Sequence, residues 1–224
     1  MQERLQRIQQ AVRRACDRAE RSYDEVAILP VSKTFSVEAI QEAMRLGLYR
    51  FGESRMQEIR EKAELLGEGA PTWVLIGHLQ TNKAKDAARW VDEVQSLDRL
   101  ALAEALDTRL QREGRAIDVL VQVKTSPEPS KHGLNAGELP AFLKQIRAFS
   151  SLRVKGLMTL AVNSADEQAV RQCFRLLRQL RDQALESGFD TVQRLSMGMS
   201  GDFEWAIAEG STEVRIGSAL FGQR

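Results

Sequence analysis

A lysine follows directly on the first apolar segment of the chain, where Val26–Val31 leads into Ser32 and Lys33. An ammonium group at the end of a buried strand is costly to desolvate, so it must pair with an acid, bind an anion or lose its proton. An unprotonated lysine is a nucleophile that condenses with an aldehyde. The alternatives are a lysine that extends outward from the rim, or one that is paired with Glu53.

A second candidate site is the segment Ser196–Asp202, in which glycines flank Ser200 just before a predicted helix. The first turn of a helix carries unpaired N–H groups and a partial positive charge. Ser200 therefore either caps this helix or donates its hydroxyl to a phosphate at the same place. Met199 beside it either fills a gap in the packing or contacts a ligand.

A third candidate is the segment Gly210–Ser218, which contains the last predicted strand. An inward-pointing Arg215 on that strand would reach the interior, and Gly217 allows a ligand to approach the backbone closely. The amide groups of Gly217 and Ser218 would complete a phosphate-binding cup with the preceding loop. A buried ion pair between Arg215 and Glu53 is the alternative.

All these residues follow short β-rich segments that alternate with helical segments, a pattern typical of a parallel sheet. The predicted strands are Val26–Val31, Tyr49–Phe51, Thr72–Ile76, Glu93–Ser96, Ile117–Val123, Arg153–Met158, Val192–Ser196 and Glu213–Ile216. The predicted helices cover Met1–Glu20, Ser36–Leu46, a segment ending at Leu66, a segment from Asn82, Leu100–Glu113, Glu138–Phe149, Asp166–Glu186 and Asp202–Glu209.

Eight strand-then-helix units with one extra N-terminal helix predict an α/β protein with a closed (β/α)8 TIM barrel, formed by a single domain over residues 1–224. A doubly wound open sheet is the alternative. In such a barrel the working residues collect at the C-terminal ends of the strands, which is where Lys33, Ser200 and Arg215 are predicted to lie.

Composition excludes several classes of protein. The 224 residues include 32 basic and 31 acidic side chains, and a net charge of +1 gives no indication of nucleic acid or of an anionic membrane as partner. No apolar run is long enough to span a membrane, and the charged segment Met1–Arg21 does not resemble a signal peptide. We therefore expect a cytoplasmic protein, and a monomer, because nothing in the sequence marks an apolar interface.

The few cysteines and histidines do not indicate a metal site. Cys16 and Cys173 stand far apart among helical signals and are interpreted as small buried hydrophobic residues. His78 and His132 are too few and too isolated to suggest a zinc site.

With these residues in place, the sequence closely resembles the family of pyridoxal phosphate homeostasis proteins, once called proline synthase co-transcribed homologues. The matching segments span nearly the whole chain in the family's order and are highly specific together. They are Val31–Thr34, Phe51–Glu53, Ile76–Lys83, Gly156–Thr159, Leu195–Ser200 and Gly210–Gly222.

The resemblance implies a barrel of the alanine racemase N-terminal type, pyridoxal phosphate (PLP) fold type III, without that enzyme's second domain. It implies PLP as the cofactor, held as a Schiff base on Lys33. Ser200 and the amides of Gly217 and Ser218 would hold the phosphate. Arg215 would face the pyridine nitrogen and keep it unprotonated, which suits racemase-like or binding roles better than transamination.

Three further residues are expected near the site: Ser54, Lys124 and Lys131. Ser54 and Lys124 each occupy a position where the family usually has asparagine. Ser54 is expected beside the cofactor, while Lys124 either strengthens phosphate binding or extends outward. Lys131 matches a family lysine on a loop near the site. It could take the cofactor from Lys33 as a second amine, or it is a solvated loop residue.

The function implied is PLP homeostasis without robust turnover, with supply of the cofactor to PLP-dependent apoenzymes. The alternative is a weak PLP-dependent amino-acid racemase. Racemisation on this fold normally needs a second base, a tyrosine from another domain, and Tyr23 and Tyr49 lie at the wrong ends of their strands. A barrel that binds a phosphate ligand without aldehyde chemistry, and a binding module that uses the arginines of the first helix, are further alternatives.

Overall fold

The predicted strand–helix units are present and lie in the predicted order. The computed structural model describes residues 1–129 and 131–222, and Ser130, Gln223 and Arg224, with the predicted domain end, lie outside the described residues. The strands are β1 (Ala27–Pro30), β2 (Arg50–Glu53), β3 (Thr72–Leu75), β4 (Glu93–Leu97), β5 (Ile117–Lys124), β6 (Leu134–Asn135), β7 (Leu152–Met158), β8 (Arg194–Met199) and β9 (Glu213–Ile216). The helices are α1 (Gln2–Arg18), α2 (Val37–Arg45), α3 (Met56–Leu66), α4 (Ala84–Trp90), α5 (Leu100–Arg112), α6 (Leu139–Ile146), α7 (Glu167–Glu186), α8 (Phe203–Ala208) and α9 (Ser218–Phe221).

Eight of the strands form a parallel ring in the order β1-β9-β8-β7-β5-β4-β3-β2, and β6 pairs with β5 outside it. A parallel bridge between Val31 and Gly52 joins the two ends of this order, and the Ser32 N–H donates to Gly52 O at 3.0 Å. A Cβ at Gly52 would lie 3.3 Å from Leu29 Cδ2, so the absence of a side chain allows the close approach of β1 and β2. The (β/α)8 barrel is confirmed, and the open-sheet alternative is wrong.

The extra N-terminal helix packs by one face. Leu5, Ile8, Val12 and Cys16 of α1 are buried at helical spacing against α8 and α9. At its end, Arg18 Nη2 lies 2.6 Å from Glu204 Oε2 on α8. The arginine face is therefore the exposed side of a packed helix.

The largest difference from the predicted bounds concerns β8. The segment after Ser196 was predicted to be a loop, but the strand continues to Met199, which pairs with Arg215 after a register shift. Gly198, at φ +94°, suggested a turn, yet it permits close packing instead, because a Cβ there would lie 2.6 Å from Ala206 Cβ. Met199 is therefore the last residue of a strand, and Ser200 directly follows that strand.

Two other expectations have simple outcomes. Cys16 and Cys173 are both free and buried, as predicted. Within residues 1–129 and 131–222, no helix combines the length and the apolar character needed to cross a membrane.

Candidate functional site

A cavity of about 650 Å³ opens at the C-terminal ends of β8, β9, β1, β2 and β3, which are neighbours in the ring. The cavity brings together every residue that the sequence assigned to cofactor binding. These are Lys33, Ser54, Lys131, Met199, Ser200, Arg215, Gly217 and Ser218. Lys124, the other lysine expected at the mouth, does not line it.

Lys33 is held at the cavity by a tight turn. The Phe35 N–H donates to Ser32 O at 3.0 Å, and Thr34 has a left-handed backbone at φ +68°. The Thr34 N–H also donates to Glu58 Oε2 at 2.7 Å, and the Phe35 ring stacks on Phe221 at 4.9 Å. With the backbone fixed on both sides, the half-buried Lys33 side chain lines the cavity and does not extend away from the rim.

Glu53 does not pair with Lys33 or with Arg215, so both ion-pair alternatives are wrong. Its fully buried carboxylate accepts from Lys62 Nζ at 2.6 Å and from Ser32 Oγ at 2.7 Å. Burial raises the pKa of Glu53, while Lys62 and Ser32 oppose that shift. Across the described parts of the chain, no carboxylate lies within 4.0 Å of the Lys33 amine.

Arg215 is a buried cation, 3% exposed, that is held by neutral groups. Its Nη1 donates to Ser196 Oγ and its Nη2 to Thr159 O, both at 2.8 Å. Burial lowers the pKa of Arg215 to about 10, against the opposing charges of Glu213 and Asp202. The guanidinium remains charged at neutral pH, and among the described residues it forms no salt bridge within 4.0 Å.

A continuous chain of hydrogen bonds leads from Arg215 through the barrel interior. Ser196 Oγ donates to Gln95 Oε1 at 2.7 Å, and Gln95 Nε2 donates to Glu93 Oε1 at 2.7 Å and to Glu213. The two carboxylates are paired at the opposite end of the barrel with Arg50 and Arg194. Sequence reasoning missed this network, although inward-pointing polar residues on several strands were a signal for it.

The phosphate-binding candidates lie on the loops after β8 and β9. Ser200 is not the cap of α8: that position is held by Asp202, whose carboxylate accepts the Met199 N–H. The hydroxyl of Ser200 is thus not used at the helix end. Gly217 precedes the first residue of α9, Ser218, and a Cβ at Gly217 would lie 3.3 Å from Val31 O. This close packing brings the first amides of α9 to the cavity beside β1.

The remaining predicted residues line the rim. Ser54 lies against the turn after β3, where a Cβ on Gly77 would be 2.1 Å from Ser54 O. Lys131 lines the cavity and is half-buried, with Nζ 3.7 Å from Glu128 Oε2. Met199 lines the cavity although it is 41% exposed.

The prediction that the histidines are isolated is wrong. The rings of His78 and His132 stack with centroids 4.2 Å apart, and His78 Nδ1 lies 3.6 Å from Asp98 Oδ2. Burial lowers the pKa of His78, helped by the neighbouring His132 and opposed by Asp98. The only signal in the sequence was position: His78 follows the predicted strand Thr72–Ile76, and His132 stands next to Lys131.

The fold defines a β/α barrel of the alanine racemase N-terminal class. The family model for the alanine racemase N-terminal domain matches residues 4–224. Alanine racemase of Clostridium difficile superposes with a TM-score of 0.77 at 14% identity, covering 95% of this chain and 56% of that one, which shows the shared fold.

The particular family follows from more similar proteins. The pyridoxal phosphate homeostasis protein of Aquifex aeolicus is 39% identical over 222 residues, 99% of this chain and 97% of that protein. PipY of Synechococcus elongatus, solved with PLP bound, is 33% identical and has a TM-score of 0.83, covering 94% of this chain and 99% of that one. The chain belongs to the pyridoxal phosphate homeostasis protein family, and the resemblance read from the sequence is confirmed.

Proposed function

We propose that this protein binds pyridoxal 5'-phosphate as a Schiff base on Lys33, takes part in PLP homeostasis and supplies the cofactor to PLP-dependent apoenzymes. The observation that carries the proposal is the convergence of an amine without a carboxylate partner, a buried arginine and two hydroxyl-bearing loops on one cavity. The homeostasis proteins among its relatives and the PLP-bound state of PipY support the choice of ligand.

The residues fit the cofactor by charge and by shape. PLP carries an anionic phosphate and an aldehyde, and a cavity of about 650 Å³ is in the range of small-ligand sites. Lys33, Lys131 and Arg215 give the cavity a positive character. The amides at the start of α9 and the hydroxyl of Ser200 are the donors that a phosphate requires.

In this arrangement each group has a separate role. The Lys33 amine would be the group that condenses with the aldehyde of PLP, with a C=N bond replacing the C=O bond and the oxygen released as water. Ser200, Gly217 and Ser218 bind the phosphate. Arg215, held by Ser196 and Thr159, would present its positive charge to the cofactor ring.

The attachment point is tested by borohydride reduction of PLP-treated protein, followed by mass spectrometry of its peptides. We expect the pyridoxyl group on Lys33 and its loss in Lys33→Ala. Lys124→Ala is the matched control, since this half-buried lysine does not line the cavity. Retention of the full adduct in Lys33→Ala, with the mass shift on Lys124 or Lys131, would refute Lys33 as the attachment point.

The anion-binding part is tested by substitutions that leave the amine in place. Ser200→Ala removes one hydroxyl donor, and we expect PLP to dissociate about tenfold faster or more, in line with the loss of a hydrogen bond to a charged group. Arg215→Met should weaken retention further, because it removes a cation. Unchanged PLP retention in both variants would contradict the proposed orientation.

Carrier function is separated from catalysis by incubating the PLP-loaded protein with a panel of L-amino acids. We expect no racemisation beyond that of free PLP. Tyr23 and Tyr49 both precede their strands, and the described cavity lining includes no tyrosine to serve as the second base. Racemisation well above the rate with free PLP would refute the carrier function and support the weak racemase.

The proposal includes a single cofactor-binding domain over residues 1–224, a cytoplasmic location and a monomeric state. The free, buried Cys16 and Cys173 are compatible with a reducing compartment. Light scattering on the eluting protein measures the mass against the 25.2 kDa of one chain. Transfer to apoenzymes is tested by recovery of a recipient's activity from stoichiometric loaded carrier in the presence of a scavenger of free PLP.

A further inference from the structure

We infer that His78, Asp98 and His132 form a binding site for a divalent first-row transition metal ion, with zinc as the ion to test first. The nitrogen and oxygen atoms that these three residues offer all lie within 4.8 Å of one another. The site lies beside the cofactor cavity and does not depend on the proposed function, because none of its three side chains lines that cavity.

The barrel itself brings the three ligands together. His78 follows β3, Asp98 follows β4 and His132 lies on the loop that follows β5. These strands are consecutive in the ring, so their C-terminal ends are neighbours along one arc of the rim. Three residues that are distant in sequence therefore meet for the reason that active-site residues meet in this fold.

The backbone at both histidines is fixed. Gly77, just before His78, packs so closely on Ser54 that a side chain there would clash. The carbonyl of His132 accepts a hydrogen bond from Gln122 Nε2 at 3.0 Å, and Gly133 lies against the backbone of β5, where a Cβ would be 2.7 Å from Lys124 N. Both rings thus start from defined positions on the rim.

Asp98 is oriented by a partner on its far oxygen. Arg99 Nη1 bonds to Asp98 Oδ1, and Arg99 Nη2 donates to Leu79 O at 2.7 Å, which fixes the guanidinium. The side chain of Asp98 is 9% exposed, and its other oxygen, Oδ2, is the one that faces His78. A ligand carboxylate held by an outer hydrogen bond is the usual arrangement around protein-bound metals. The ion pair also compensates the positive charge that Arg99 places near the site.

The ligand set selects the class of ion. Two imidazoles and one carboxylate suit zinc and its first-row neighbours, whereas magnesium and calcium prefer oxygen ligands alone. Three protein ligands leave further coordination positions for water or another ligand. Imidazole binds metal in its neutral form.

The rings must turn to bind an ion. They are stacked with an interplanar angle of 20°, and parallel rings do not direct their nitrogens at one point. Ligand atoms of a tetrahedral zinc ion with bonds of about 2.0–2.2 Å lie roughly 3.4 Å apart. Both rings are exposed, and rotation of their side chains would bring the ligand atoms, now within 4.8 Å of one another, toward that spacing.

The experiment is a calorimetric zinc titration of the untagged, chelator-treated protein, since a histidine tag would bind the ion itself. We expect one zinc ion per chain. His78→Ala, His132→Ala and Asp98→Asn should each weaken zinc binding by more than about tenfold. Mutation of a residue that only hydrogen-bonds to a metal ligand already lowers metal affinity about 10- to 100-fold, and removal of a ligand should cost at least as much. Asp118→Asn is the matched control, as this aspartate pairs with Arg153 outside the site and should leave binding unchanged.

Two further measurements distinguish this site from other sources of binding. Lys33→Ala, which removes the proposed point of cofactor attachment, should bind zinc like the parent protein. Cobalt substitution should give visible bands that disappear in His132→Ala. The absence of stoichiometric binding, or binding that persists in both histidine variants, would overturn the inference and leave the stacked rings as packing alone.

Discussion

Replacing Ser196 by alanine tests the hydrogen-bond chain that positions Arg215. Ser196 Oγ accepts from Arg215 Nη1 at 2.8 Å and donates to Gln95 Oε1 at 2.7 Å, and both Ser196 and Gln95 are fully buried. A hydrogen bond to a charged group contributes about 1.5–3 kcal/mol and a neutral one about 0.5–1.5 kcal/mol. Ser196→Ala should therefore lower the free energy of unfolding by about 3 kcal/mol, a large part of a typical total of about 5–15 kcal/mol.

Ser96 on β4 provides the matched control. It is also a fully buried serine, but its hydroxyl has no hydrogen-bond partner among the described residues. Ser96→Ala removes an unsatisfied polar group and should leave stability unchanged or raise it by about 1 kcal/mol. Both variants can be compared by urea unfolding of the cofactor-free protein. Equal losses of stability, or a loss only in Ser96→Ala, would refute the hydrogen-bond assignment for Ser196.

Two further predictions concern buried charge and backbone packing. Lys62→Met leaves the Glu53 carboxylate buried without its cation and should cost about 3–5 kcal/mol in urea unfolding. Because burial raises the pKa of Glu53, this carboxyl takes up a proton more readily in the folded state than in the unfolded state. The loss of unfolding free energy in Lys62→Met should therefore be smaller near pH 5 than near pH 8. A loss that does not change with pH would contradict the argument. Gly156→Ala places a Cβ about 2.0 Å from Arg194 O across the β7–β8 pair and should destabilise the barrel by about 3 kcal/mol or more. Gly69→Ala, which meets no atom within 4 Å, should change thermal unfolding very little, and similar melting temperatures for the two glycine variants would show that the clash is relieved.

The order of elements was predictable because each unit carries its own local signals. The apolar runs before Lys33 and around Arg215 identify strands, and the helical periodicity of Leu5, Ile8 and Val12 identifies α1. The rule that ligands bind at C-terminal strand ends then selected the cavity residues from their position in sequence. The bounds were less predictable: Gly198 indicates a turn by residue type, but the ladder between β8 and β9 continues past it.

Features that depend on contacts between distant strands were not predictable. The sequence left open a pairing of Glu53 with Lys33 or Arg215, but the partner is Lys62 on α3, with Nζ 2.6 Å from the Glu53 carboxylate. The stacking of His78 on His132 depends on which strands are neighbours in the ring. Single-sequence patterns give faces and ends of elements but not the partners of each polar side chain, and those partners decide the electrostatics of the site.

Three buried carboxylates of the barrel are paired with cations that do not line the cavity. Glu53 at the end of β2 forms an ion pair with Lys62. At the opposite end of the barrel, Glu93 and Glu213 form ion pairs with Arg50 and Arg194. Arg215 reaches these carboxylates only through the neutral side chains of Ser196 and Gln95.

Consequently the positive charges of Lys33 and Arg215 face the cavity without a direct carboxylate partner among the residues that the structure describes. The charges of Glu213 and, less strongly, of the half-buried Asp202 compensate part of the charge of Arg215. Burial raises the pKa of the Asp202 carboxyl and so disfavours its charged form. A bound phosphate would supply the missing negative charge, so anion binding should raise the pKa of Arg215 from its value of about 10 and stabilise the fold. Inorganic phosphate, which has no aldehyde, should therefore raise the melting temperature of the parent protein and of Lys33→Ala alike. If phosphate raised the melting temperature of the parent protein but not of Lys33→Ala, the anion site of the cavity would depend on the lysine amine.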